Sequence, residues 1–384
     1  MDSPIVITGA RAPVAIDLAR AFAASGREIR LADSATSYAA RCSNVGRGRV
    51  LRLPRARGNF SLYRSALQAL VAEMQPELIV PTCEEVFFVA AVAAQCGFAE
   101  RVFAPPLALL RTLHSKIDFP AFARSLGIAA PETWAIDNVA QCRALPLPPQ
   151  ALVFKPEFSR FGTSTLIRPT HASLQRVHAA PDRRWAAQRH VAGEEICLWA
   201  AARSGSIVAS AAYRPVRRLG QAAAYAFETM HCPPALAIAT TIAAATGMSG
   251  QLSFDIILTA EGEAVPIECN PRSISGVHLF DGEAALADAL LGTGAPVHAT
   301  SRLRYLGPAM ALFAMPRALS GGRWSSFVDD IRRGRDALTR PGDRWPAVGA
   351  VVDTTGFVLR GALRAAGAAS ASTADIEWNG EALE

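Results

Sequence analysis

Lysine is nearly absent from this chain. Of 39 basic residues, 37 are arginine and only Lys116 and Lys155 are lysine. A composition that uses arginine for generic cations leaves lysine where a compact ammonium is needed and a planar fork would not fit. Paired cysteine motifs are also missing. The seven cysteines are odd in number, with no C-x-x-C among them, which argues for free thiols in a reducing cytoplasm and against a disulfide or zinc framework. Met1-Asp2-Ser3-Pro4 carries no basic n-region, and Ile5-Val6-Ile7 is too short for a signal core. No apolar run reaches membrane-spanning length, because Glu84 and Glu85 interrupt the stretch from Leu78 to Phe98. The net charge of +6 comes without aromatic interleaving or a nucleic-acid motif. Arg332-Arg333-Arg335 reads as a solvated helix face, so neither a nucleic-acid nor a membrane partner is expected.

With 384 residues and 51% hydrophobic content, the chain can bury a large core in two or three domains. The first hundred residues alternate strand and helix. Ile5–Ile7 reads as a strand, followed by a helix from Pro13 to near Gly26. Glu28–Leu31 and Leu78–Val80 read as strands, Ser61–Met74 and Glu84–Cys96 as helices. This alternation predicts a parallel sheet covered on both faces. A dinucleotide site is the rival reading here, with Gly9 after the first strand and Asp33 ending the second. Its turn has one glycine where G-x-G-x-x-G needs three, so NAD(P) is disfavoured. Thr82-Cys83-Glu84-Glu85 fits a capping box, with Thr82 at the N-cap and Glu85 at N3.

Beyond Pro105-Pro106, Leu107 to Ile136 reads as helical and Leu145–Pro149 as a stiff linker. Strands are expected at Leu152–Phe154, Thr165–Ile167, Trp185–Gln188, Ile196–Ala202 and Ile207–Ala212, and a helix at Pro234–Thr246. The last eighty residues offer helices near Phe327–Arg335 and Gly356–Ala366 and no legible chemistry.

The segment from Phe254 to Asn270 says most. A two-residue loop at Glu261-Gly262 places Asp255 directly opposite Glu268. Phe254, Ile256, Leu258, Val265, Ile267 and Cys269 then share one apolar face and make Cys269 a core residue. On the other face Asp255, Glu268 and Asn270 converge. Carboxylates opposed at about 5 Å repel and call for a cation or a shared proton. Two carboxylates and an amide oxygen suit Mg²⁺.

Glu268-Cys269-Asn270-Pro271-Arg272 resembles the E-x-N-P-R metal-binding segment of ATP-grasp enzymes. That family includes carbamoyl phosphate synthetase, biotin carboxylase and D-alanine–D-alanine ligase. Leu113-His114-Ser115-Lys116, continued by Leu126-Gly127-Ile128-Ala129-Ala130-Pro131, resembles the first ATP lysine and its G-I-x-x-P sequel. Val153-Phe154-Lys155-Pro156 resembles the second lysine. Glu157 to Ser164 resembles the loop over the phosphates, and Gln188 to Glu195 the adenine hinge. The resemblance runs from the N-terminal α/β domain to about residue 285, and both lysines fall on family positions.

The resemblance implies an α/β and α+β architecture. A Rossmann-like parallel-sheet domain (1–105) would precede a two-lobed ATP-grasp domain (106–300, lid about 151–212) and a small C-terminal region (301–384). It implies ATP with Mg²⁺ or Mn²⁺ as cofactors. Lys116, Lys155, Ser159, Gly162, Gln188, Val191 and Glu195 would bind ATP. Asp255, Glu268 and Asn270 would ligate the metal, and Arg272 would be the catalytic cation. The implied activity joins a carboxylate, activated as an acyl phosphate, to an amine with release of ADP and phosphate. A bicarbonate-using, carboxylase-like enzyme of the same family is the alternative. Partners would be small-molecule carboxylates and amines, and a homodimer is left open.

Overall fold

Ile5, Val6 and Ile7 are all buried because their strand is covered on both faces, as a parallel sheet requires. The computed structural model describes residues 3–160, 164–218, 224–300, 302–363 and 368–383. Strands β1 (Ile5–Thr8), β2 (Ile29–Asp33), β3 (Val50–Arg52) and β4 (Leu78–Pro81) form a parallel sheet in the order β3-β2-β1-β4. Ile5 and Ile7 pack against the helix Pro13–Ala24, whereas Val6 faces the helices Phe60–Met74 and Val86–Cys96. This is the period-two alternation of a strand.

The expected helix from Leu107 to Ile136 is instead two helices, Leu107–His114 and Asp118–Ser125, followed by a strand, β5 (Thr133–Ile136). The break has a local cause. Ser115 Oγ accepts hydrogen bonds from the backbone N–H groups of Ile117 and Asp118 and thereby starts the second helix. Gly127, at φ +77°, then lets the chain leave it. The expected linker Leu145–Pro149 is no free spacer either. Leu145 and Leu147 pack against the core of a small antiparallel sheet. That sheet pairs β5, β6 (Leu152–Pro156), β7 (Leu166–Ile167) and β8 (Trp185–Arg189) in the order β5-β8-β6-β7.

The largest sheet has eight strands. They are β9 (Glu194–Arg203), β10 (Ser206–Arg218), β11 (Ala224–Thr229), β12 (Gly250–Leu258), β13 (Ala264–Asn270), β14 (Val297–His298), β15 (Leu303–Tyr305) and β16 (Arg335–Asp336). The order runs β13-β12-β9-β10-β11-β15-β16, with β14 paired to β10. Helix Pro233–Thr246 and the two helices after Pro106 cover one of its faces around Phe254 and Ile256.

Asp255 pairs with Glu268 and Phe254 with Cys269 as the alternation predicts, but a bulge follows, and Ile256 pairs with Pro266. The turn is also one residue longer, since Thr259 and Glu263 bond across it. The bulge moves Val265 opposite Ile257, out of the apolar face it was expected to join, and puts Ala264 there in its place. Toward the C-terminal end, helix Trp324–Arg333 packs through Phe327 on Tyr225 and Met310, helix Pro346–Leu363 follows, and Trp378 is buried in the core cluster beside the parallel sheet. No described helix is long and apolar enough to cross a membrane.

Candidate active site

The register of β9, β12 and β13 brings acids together on one face. Asp255 stands between Cys197 on β9 and Glu268 on β13, and Glu195 lies two residues before Cys197 on that same face. Cys197 Sγ donates to Asp255 Oδ1 at 3.5 Å. Asn270, two residues beyond Glu268, donates from Nδ2 to Glu268 Oε1 at 3.4 Å. Burial, then the neighbouring charges of Glu268 and Glu195, raise the Asp255 carboxyl to about 6. Burial works against Glu268 as well, but Lys116 and Lys155 outweigh it and hold that carboxyl below its usual range. Two opposed carboxylates with an amide side chain beside them are the kind of ligands a hard divalent cation takes; the Cys197 thiol is held on Asp255, and the Asn270 amide would turn its oxygen inward to join them.

Both lysines reach this face. Lys116, in the turn between the two helices, places Nζ 3.2 Å from Glu268 Oε1 and donates to the Ser159 carbonyl at 2.9 Å. Lys155 crosses from the small sheet to the large one. It donates to Gln188 Oε1 at 3.2 Å and to the Ile267 carbonyl at 3.3 Å. That carbonyl lies at the bulge, where it is also 3.5 Å from Gln188 Nε2. Burial lowers the Lys155 ammonium from its ordinary range, against the pull of Glu268. The structure therefore gathers Lys116, Lys155, Ser159, Gln188, Asp255, Glu268 and Asn270 between two sheets. Glu195 joins them on its half-buried strand end, held by both guanidinium arms of Arg218 at 2.8 and 3.0 Å. Val191 lies half-buried just past β8. Gly162 lies outside the described residues.

Arg272 points elsewhere than at the two acids. Its Nε donates to Glu84 Oε1 at 2.8 Å, and its Nη2 to Asn270 Oδ1 at 3.4 Å. Glu84 Oε2 in turn meets Arg160 at 2.8 Å. Burial alone would raise Glu84, but the groups around it, Arg160 first and then His114 and Arg272, hold it well below the usual carboxylate range. The capping-box reading caught half of this loop. Glu85 Oε1 accepts from the Thr82 N–H at 3.0 Å, but the Thr82 hydroxyl bonds back to the carbonyls of Thr8 and Gly9. Glu85 is the residue that precedes the helix. Gly9 is used here too. At φ +71° a Cβ would stand 2.5 Å from Thr82 Oγ1, so its glycine serves the approach of this loop.

Four residues escaped the sequence reading. Glu84 and Arg160 are joined by contacts across long sequence separations that leave no local pattern. His114, inside a recognised motif, is buried between Phe87 and Phe158, with ring centroids at 5.2 and 5.8 Å. Burial, then Lys116 and Arg160, push it down to about 3, so it is neutral. Trp378 stacks on Phe87 at 4.7 Å and meets Phe158 edge-on at 5.1 Å. Its carbonyl accepts from Arg160 Nη2 at 2.5 Å, and Asn379 Oδ1 accepts from Arg160 Nη1 at 3.0 Å.

No family model matches the chain, and no curated protein sequence matches it. Solved structures do. An N5-carboxyaminoimidazole ribonucleotide synthetase from Thermus thermophilus is similar with a TM-score of 0.59 at 17% identity, over 78% of this chain and 82% of that one. An N5-carboxyaminoimidazole synthetase from Staphylococcus aureus complexed with ADP gives 0.62 at 10% identity, over 84% and 87%. An L-amino acid ligase from Bacillus licheniformis gives 0.55 at 14% identity, over 75% and 74%. These likenesses span most of each chain compared, and over that span the protein has the fold of the ATP-grasp superfamily.

Proposed function

We propose that the protein is an ATP-dependent ligase that activates a substrate carboxylate as an acyl phosphate and couples it to an amine. The observation that carries this reading is the meeting of the chain's two lysines with Asp255, Glu268 and Asn270 between the small antiparallel sheet and the large mixed one. In this reading residues 1–105 form the Rossmann-like domain, 106–300 the ATP-grasp domain with a lid at about 151–212, and 301–384 a C-terminal region.

Lys116 and Lys155 exchange their present acceptors, the Ser159 and Ile267 carbonyls and the Gln188 amide, for phosphate oxygens. Ser159 and Gly162 border the phosphates. Gln188 and Val191 lie toward the adenine, and Glu195 toward the ribose hydroxyls. Asp255, Glu268 and Asn270 would hold Mg²⁺ or Mn²⁺, which when bound neutralises charge on the transferred phosphoryl group. Arg272, kept in place by Glu84, binds the carboxylate or that phosphoryl group through its guanidinium fork.

The substrate carboxylate oxygen attacks the γ-phosphorus in line, and the bond to the β,γ-bridging oxygen breaks, releasing ADP. The amine nitrogen then attacks the acyl carbon. Phosphate leaves, and the nitrogen's proton passes to water. The test is a phosphate-release screen of amino acids and other carboxylates against amines. ADP and phosphate should appear in equal amounts, and Lys155→Ala and Glu268→Gln should each cost about 100-fold or more. AMP and pyrophosphate, or full activity in either variant, would refute the reading. Incorporation of labelled bicarbonate would favour the carboxylase-like alternative.

A further inference from the structure

The carboxyl ends of β2 and β3 open into a second cavity, of about 210 Å³, walled on the far side by helix Pro346–Leu363. Arg52 ends β3, Arg55 and Arg57 follow it, and Arg360 comes from the helix, so guanidinium groups line the cavity from two sides. Arg11 also lines it but is committed to Asp33 and Asp375. The others are not. The side chains of Arg52 and Arg55 make no ion pair or hydrogen bond among the described residues. The Arg57 guanidinium reaches Glu377, at 3.4 Å, and Arg360 lies over the ring of Phe357, at 4.8 Å, with Asp353 near enough to feel its charge.

Two carboxylates stand in the wall, and both have partners. Asp375 accepts from Arg11 and Ser34, and Asp353 accepts from the backbone N–H groups of Tyr38 and Ala39 at 2.9 Å each. The cavity therefore has more guanidinium groups than carboxylates, with Arg52 and Arg55 unpaired, an arrangement that matches the tetrahedral oxygens of a phosphate. It is smaller than the usual 300–1,000 Å³ of a drug-sized site, so its ligand is small. Asp353 retains lone pairs that can accept from hydroxyl groups.

We propose that this cavity binds a small hydroxylated phosphate monoester, with the dianion on Arg52, Arg55, Arg57 and Arg360 and a hydroxyl on Asp353. The site is separate from the proposed catalytic one and independent of that reading. Calorimetric titration of the full chain with glycerol 3-phosphate, inorganic phosphate and glycerol, at fixed ionic strength, tests it. Saturable binding of glycerol 3-phosphate is expected, with weaker binding of inorganic phosphate and none of glycerol. Arg55→Ala and Arg360→Ala should each weaken binding about tenfold or more, the loss of one charge-assisted bond, while melting like the wild type. Lys155→Ala should bind as the wild type does. The proposal falls if glycerol 3-phosphate does not bind, if inorganic phosphate binds as tightly as it does, if glycerol alone binds, or if both arginine variants keep full affinity. It falls equally if Lys155→Ala abolishes binding, which would put the anion in the catalytic cleft.

Discussion

Replacing Glu84 by glutamine keeps the side chain's volume and removes its charge. In the native structure that charge meets Arg272 and Arg160, each at 2.8 Å, and the Glu84 and Arg160 side chains are only 3% and 5% exposed. Arg160 keeps its bonds to Trp378 and Asn379, and Arg272 its contact with Asn270, so the loss is partial. Breaking a buried pair of this kind costs about 3 kcal/mol. Unfolding entropy of about 2.1 cal/mol/K per residue, taken over a cooperative chain of 384 residues, turns that into a fall of about 4 °C in melting temperature. The pH dependence has a definite sign. The native Glu84 pKa lies below the unfolded one, so its stabilisation is complete above the unfolded value of about 4.3 and is lost as pH falls below it. Melting of wild type and Glu84→Gln by calorimetry should therefore show a constant gap between pH 7 and pH 5. Below about pH 4.3 the gap should narrow by about 1.4 kcal/mol per pH unit. A fall smaller than about 1 °C at pH 7, or a gap that does not change down to pH 3.3, would refute the assignment of Glu84 as the ionised link between the two arginines.

Two other perturbations probe neighbouring parts of the site. Asp255 has a raised native pKa, so its ionised form costs stability once pH climbs above its unfolded value. Asp255→Asn should raise the melting temperature at pH 8, by about 1 kcal/mol of stability after allowing for solvent at this part-exposed site. It should leave melting at pH 3.5 nearly unchanged and abolish phosphate release. A destabilised variant at pH 8 would show that the acid pair is not strained. Trp378→Ala removes a side chain only 2% exposed that stacks on Phe87. A loss of about 3–5 kcal/mol is expected, read by urea denaturation, together with faster proteolysis at Arg160. Unchanged protection of Arg160 would mean that the C-terminal segment does not hold the loop.

The hairpin was readable because each strand carries one acid flanked by apolar residues, and the Glu261-Gly262 turn leaves a register in which Phe254 and Cys269 are buried and Asp255 faces Glu268. The bulge beyond Asp255 left no comparable trace. Pro266 has no N–H to mark the ladder, and shifting by one residue merely exchanges Val265 for Ala264 on the apolar face. The parallel sheet was legible from strand–helix alternation. The run from Leu107 to Ile136 was not, because Ser115 breaks it through its side-chain oxygen without any change in helical periodicity. Glu84 carried a local explanation as part of a cap, which hid partners 76 and 188 residues away. The segment around Trp378 reads as polar and featureless until Phe87 and Phe158 are seen beside it.

The burial of both lysines has a practical side. Lys116 is 3% and Lys155 5% exposed, so the folded surface presents no lysine side chain at all. An endoprotease specific for lysine would find no target on the closed protein, and its two cuts would become available only when the cleft between the sheets comes apart. Acylating reagents that seek primary amines would likewise leave these side chains unmodified until that opening. A protein so made carries its own reporter: any lysine chemistry observed on it records an excursion of one particular cleft, with no background from elsewhere on the surface.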